Sequence, residues 1–182
     1  MHRLGDIIEA GNTEATSRYA TEQEACAAFD AAVSDNCFLV EKEVVGRILQ
    51  PRLAADQQVF RIDRLLIPRP KLGWTQGAIG IELKRGKSKL GKAVLQCLDY
   101  QRCAFKTKNG IDVLIGWCFL FGIDSIPKRD IESIMAQNQI GVCEIGNNGH
   151  LRFAGDSRCL IQNIGGEWYC QEPLSGRKAG SR

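Results

Sequence analysis

No two of the eight cysteines in this 182-residue chain stand in a C-x-x-C pair, and only two histidines, His2 and His150, could join them. Zinc fingers and ribbons take their ligands in close pairs, so this spacing argues against them. Free thiols packed as small apolar side chains are the expected state. No run of 18 apolar residues is present, so no membrane span is expected. The opening MHRLGDIIEAGNTEAT has no apolar core of a secretory signal, and a cytoplasmic protein is expected. Net charge is also scarce. At +3 it does not announce a nucleic-acid binder, although residues 84–92, KRGKSKLGK, hold five basic side chains in nine positions.

With 44% apolar and 25% charged residues, the chain suits one globular domain, large enough to bury about 70% of its unfolded surface. A short helix is expected near Leu4 to Ala10 within an N-terminal segment, 1–20, and a loose tail at 173–182. Thr21 and Glu24 form an S/T-x-x-E capping box ahead of a helix over 21–33, whose apolar stripe is Ala25, Ala28, Phe29 and Ala32. Residues 37–49 read as a strand with Glu41 and Glu43 on one face, and 51–58 as a polar connection. Strands follow at 59–67 and 78–84, then a helix from about Lys87 to Phe105. The nearly all-apolar 111–123 reads as a central strand covered on both faces. Pro127 can open a helix through Asn138. Two hairpins should close the chain, turning at Asn147-Asn148-Gly149 and at Gly165-Gly166. The order makes an α/β domain around a mixed sheet, with a core over 21–125 and a helix and hairpins of the same domain over 126–172.

The chemistry gathers in residues 61–101. In AIGIELK, side chains alternate between faces, so Glu82 and Lys84 point the same way. A symmetric connection over 68–77 pairs Ile67 with Ala78, which sets Asp63 opposite Glu82. Directly opposed side chains lie about 5 Å apart at Cβ. Two carboxylates that close repel one another unless a cation sits between them, and Mg²⁺ is commonly held by one or two carboxylates. A slip of one residue would turn Asp63 to the other face. Glu82 and Lys84 could equally be the wet face of an amphipathic strand, with Asp63 neutralised by Arg61 or Arg64. Gln96 and Tyr100, four apart, share one face of the following helix, beside a core stripe of Leu90, Val94, Cys97, Leu98 and Phe105. Gly86-Lys87-Ser88 looks like the end of a P-loop, but the glycine needed five positions before Gly86 is Ile81, and an ATPase is rejected.

An α-β-β-β-α-β order bearing D…E-x-K on its second and third strands resembles the PD-(D/E)XK nuclease superfamily. Asp63 matches the motif aspartate, Glu82 the second acid and Lys84 the lysine, while Gln96 and Tyr100 match the Q-x-x-x-Y of the RecB-like and lambda-exonuclease-like branch. The residue before Asp63 is Ile62, where the motif has proline. The resemblance covers roughly 21–123 and leaves the C-terminal third unexplained. It implies a restriction-endonuclease-like core with a β-rich C-terminal extension, and hydrolysis of DNA phosphodiesters. It also implies Mg²⁺ or Mn²⁺ held by Asp63, Glu82 and the main-chain carbonyl of Leu83. An acid on the first helix is common in the superfamily; Glu24 is the first match and Glu22 the second. Lys87, Lys89 and Lys92 would contact the nucleic-acid backbone, with Gly86 and Gly91 allowing close approach. Some of these nucleases carry a four-cysteine iron–sulfur cluster, but Cys143, Cys159 and Cys170 are too dispersed for it. Two other readings use the same motif: a binding module without turnover, and an RNA-directed nuclease of phage or defence systems. No surface signal supports or excludes a homo-oligomer.

Overall fold

The computed structural model describes residues 18–33, 36–49, 59–84, 90–123, 129–146, 149–155 and 158–171. Outside them lie the helix expected near Leu4 to Ala10, the 51–58 connection, Gly86, Lys87, Lys89, the Asn147-Asn148 turn and the tail at 173–182. Among the described residues the order is α1 (Glu22–Ala32), β1 (Phe38–Ile48), β2 (Val59–Pro68), β3 (Ala78–Leu83), α2 (Leu90–Tyr100), β4 (Cys103–Lys106), β5 (Asp112–Phe121), α3 (Arg129–Gln137), then β6 (Ile140–Ile145), β7 (Leu151–Gly155), β8 (Arg158–Ile164) and β9 (Glu167–Cys170). This is an α/β architecture on one mixed, mostly antiparallel nine-stranded sheet.

The expected helix through Phe105 is too long. The chain leaves α2 at Tyr100 and turns, and Cys103–Lys106 forms β4 between β1 and β5. An apolar stripe that runs on through Cys103 and Phe105 fits a helix and a short strand alike, since both residues are buried in either case. Pairing of β4 with β1 and β5 closes a ring of strands, β1-β2-β3-β5-β4. The long β5 serves β4 with its first half and β3 with its second, and adds β6 in parallel near its end.

Two cores lie on opposite sides of the sheet. Ala25 and Phe29 of α1 pack with Ile79, Ile81, Leu83, Phe119 and Phe121 in one. Leu90, Ala93, Val94, Cys97 and Tyr100 of α2 pack with Ile62, Leu65, Ile115 and Leu120 in the other, which Ile131 and Met135 of α3 extend. The C-terminal strands complete the first core: Leu151, Phe153, Leu160 and Ile161 join Leu72 and Trp74, and Phe38 meets Phe153 and Trp168 edge-on or tilted. In the β8–β9 hairpin Gly165 and Gly166 both have positive φ (61° and 91°), as a two-residue primed turn requires.

β1 and β2 change faces together. Leu66 and its partner Val40 pack in the first core, whereas Ile62 and its partner Val44, four residues along each strand, pack in the second. A strict period of two would keep residues four apart on one face. The reversal falls at Glu43, the non-glycine with φ 53° on β1, which stands opposite Asp63 in a register that keeps Lys42↔Arg64 before it and Val44↔Ile62 after it. Glu41 and Glu43 are therefore not on one face as expected: Glu41 is buried and accepts the Lys108 N–H, while Glu43 is exposed.

Beyond β5, Gly122 (φ +81°) brings the chain tight against β3, where an added Cβ would stand 2.2 Å from the carbonyl oxygen of Lys84. Gly122→Ala should lower the stability measured by urea unfolding by about 1–3 kcal/mol. An unchanged midpoint would show that this close approach is not rigid.

Candidate metal centre

The β2–β3 register is the one expected. Pairs Arg64↔Ile81, Leu65↔Gly80 and Leu66↔Ile79 carry on to set Asp63 opposite Glu82. The ladder stops at Arg64↔Ile81, and beyond it a side chain takes the place of main-chain pairing: the Asp63 carboxylate accepts the Leu83 N–H at 2.7 Å.

Glu82 is 1% exposed and engages both oxygens. Its Oε1 lies 2.6 Å from Lys84 Nζ, and its Oε2 accepts the Tyr100 hydroxyl at 2.7 Å. The same hydroxyl lies 2.9 Å from the Arg61 carbonyl, so one proton faces two acceptors. Tyr100 is fully buried and packs edge-on against Phe105. Burial, joined by the charge and hydrogen bond of Glu82, pushes its hydroxyl well above the ordinary tyrosine range, so it donates and does not ionise.

Burial, then the nearby Glu82 charge, raises the Asp63 carboxyl from 3.8 to about 6, against the lowering effect of the Leu83 N–H and Lys84. Burial opposes the charge on Lys84, but its hydrogen bond to Glu82, and the charges of Glu82, Asp63 and Glu22, hold its pKa above the ordinary lysine value. With all three ionised the cluster carries one net negative charge in a half-dry site, where such a charge is costly unless neutralised.

Gln96 stands one turn before Tyr100 on α2, and its Oε1 is buried without a hydrogen-bond partner. A buried acceptor without a partner, one turn from Tyr100, calls for a donor that the described residues do not supply. Hard oxygen donors in this number suit Mg²⁺ or Mn²⁺, which keep several waters of their own. Among the described residues no three His, Cys, Asp or Glu side chains group around one point. The residues present fit the group.

The other expected site residues fall out differently. Glu24 is used in capping: Thr21 Oγ1 accepts its N–H at 3.0 Å and its carboxylate reaches back to the Ala20 N–H at 2.8 Å. Glu22, the second match, is the α1 acid whose charge Lys84 feels. Lys92 is exposed on the first turn of α2. Neither arginine neutralises Asp63 as an ion-pair partner: Arg64 turns to Asp30, and Arg61 lies 4.0 Å from Glu43. Asp30, a single acid within a capped helix, carries no signal of this role in the sequence. No disulfide joins any of the eight cysteines, all of which lie among the described residues.

Comparison with known proteins finds no family model, no curated protein and no solved structure that matches this chain.

Folding raises the Asp63 pKa, so the folded chain holds a proton that the unfolded chain has released between about pH 4 and 6. This contribution to stability is full below pH 3.8 and is lost as pH rises through about 6. Without added metal, urea unfolding of the wild type should lose stability relative to Asp63→Asn across that window. Parallel pH profiles for the two would contradict the assignment. Tyr100→Phe, which strips a donor from Glu82 and from the Arg61 carbonyl, should reduce stability by about 1–3 kcal/mol in the same measurement.

Proposed function

We propose that this chain is a metal-dependent nuclease hydrolysing phosphodiester bonds of DNA. The single observation behind this reading is the register that sets Asp63 against Glu82 with Lys84 bonded to the second acid. The element order adds support. α1, three strands, α2 and the parallel β5 follow the α-β-β-β-α-β order of PD-(D/E)XK nucleases, with β4 inserted before the last strand. Restriction-endonuclease-like is our name for this core on that ground, and the acids sit on its second and third strands as the motif requires.

Asp63, Glu82 and the main-chain carbonyl of Leu83 would hold Mg²⁺ or Mn²⁺. When bound, the ion supplies Lewis acidity toward a phosphoryl oxygen and lowers the pKa of coordinated water. Everything else falls to the protein. Leu83 N–H fixes one Asp63 oxygen, leaving the other for a ligand. The Tyr100 hydroxyl and the Lys84 ammonium hold the buried Glu82 carboxylate from two sides. Lys84, 14% exposed and charged, stands against Glu82. There it can orient an attacking water or offset charge that develops on the phosphate. Gln96 offers its unpaired Oε1 to a donor on substrate or water. Lys92 extends positive charge away from the site along α2, where a phosphate contact would position a strand without reading its sequence.

Purified protein should cut DNA in Mg²⁺ and stop in excess chelator. Asp63→Ala and Lys84→Ala should each lower the rate by at least about 100-fold while the fold, checked by circular dichroism, is kept. Matched DNA and RNA substrates distinguish the polymer. Cleavage of RNA alone would replace DNA as the substrate, and undiminished cleavage by both variants would overturn the reading.

A further inference from the structure

The guanidinium of Arg64 is buried, 6% exposed, and makes three bonds to two elements. Its Nε donates to Asp30 Oδ1 at 2.7 Å and its Nη2 to Asp30 Oδ2 at 3.0 Å, a two-pronged grip on helix α1. Its Nη1 donates to the main-chain carbonyl of Asp63 at 2.7 Å. Lys42, which lies opposite Arg64 on β1, adds a 2.6 Å bond to the same Asp30 carboxylate from the exposed side. These bonds outweigh the burial of Asp30 and hold its carboxyl below the ordinary range.

The placement gives this clamp a role beyond packing. Asp63 stands where β2 changes faces, at a position that the ladder to β3 does not reach. Its neighbour across β1 is Glu43, in a left-handed conformation. The peptide that carries the candidate metal ligand thus has reduced support from the sheet on either side. Arg64 Nη1 supplies the missing bond, anchored through Asp30 to a helix whose Phe29 is wholly buried. We infer that Arg64, held by Asp30, is a positioning residue: it fixes the Asp63 main chain so that its carboxylate stays aimed at Leu83 and Glu82, and so sets the affinity of the centre for a divalent cation. This rests on the metal-centre reading above. The planar fork matters, because a lysine at 64 keeps the charge but cannot grip Asp30 with two bonds and still reach the Asp63 carbonyl.

Mn²⁺ titration by calorimetry, with melting recorded alongside, tests it at a temperature well below unfolding. Arg64→Lys and Asp30→Asn should each weaken Mn²⁺ binding by about tenfold or more, as supporting residues behind metal ligands commonly do. Phe29→Leu, which loosens the same helix without touching the clamp, should lower the melting temperature and leave Mn²⁺ affinity unchanged. Asp30→Asn keeps the shape of the side chain and serves if Arg64→Lys does not fold. Wild-type affinity in a folded Arg64→Lys or Asp30→Asn variant would overturn the inference while leaving the metal centre standing. Weakening by Phe29→Leu to the same degree would also overturn it, by reducing the clamp to general stability. No Mn²⁺ uptake by the wild type would overturn the metal centre itself.

Discussion

Two carboxylates facing each other from neighbouring strands, one of them buried, are the constraint around which the middle of this molecule is built. Like charges at such range cannot both ionise in a dry site without compensation. The compensation visible in the protein is partial. An ammonium and a phenol hold Glu82 and an amide N–H holds Asp63, yet burial, with the Glu82 charge behind it, still pushes the Asp63 carboxyl up, a shortfall in compensation. A divalent ion would remove it.

The surrounding architecture can be understood as support for this pair. Helices α1 and α2 press on opposite faces of the sheet, and each sends a polar group to it: Asp30 through Arg64 from one side, Tyr100 directly from the other. The left-handed residue on β1 and the end of the β2–β3 ladder fall at one level. Backbone strain of this kind, about 1–3 kcal/mol, persists only where the structure around it is well determined. Here two buried cores and a closed ring of strands determine it.

Much of this was legible in the residues. The pairing of Asp63 with Glu82 followed from one assumption, a symmetric connection between Ile67 and Ala78, and the common face of Glu82 and Lys84 from the period of two along β3. Tyr100 and Gln96 were legible because four residues make one helical turn. What escaped was what local pattern does not encode. Cys103 to Phe105 could continue a helix stripe or begin a strand, and only the empty pairing edges of β1 and β5 choose the strand. Glu41 and Glu43 parted because a single positive φ reversed the face, which no glycine or asparagine announced. Arg64 looked like a counter-ion for the acid beside it in sequence, whereas its partner sits 34 residues away on a helix. The C-terminal strands had no motif, yet Phe153, Leu160 and Trp168 finish the first core.

The most direct test is diffraction from crystals soaked in Mn²⁺, using its anomalous signal to find the ion without assumption. The expected result is a peak bridging the Asp63 and Glu82 carboxylates and the Leu83 carbonyl at coordination distance, about 2.0–2.3 Å. Ordered crystals at saturating Mn²⁺ with no peak between those acids would contradict a metal centre at this position.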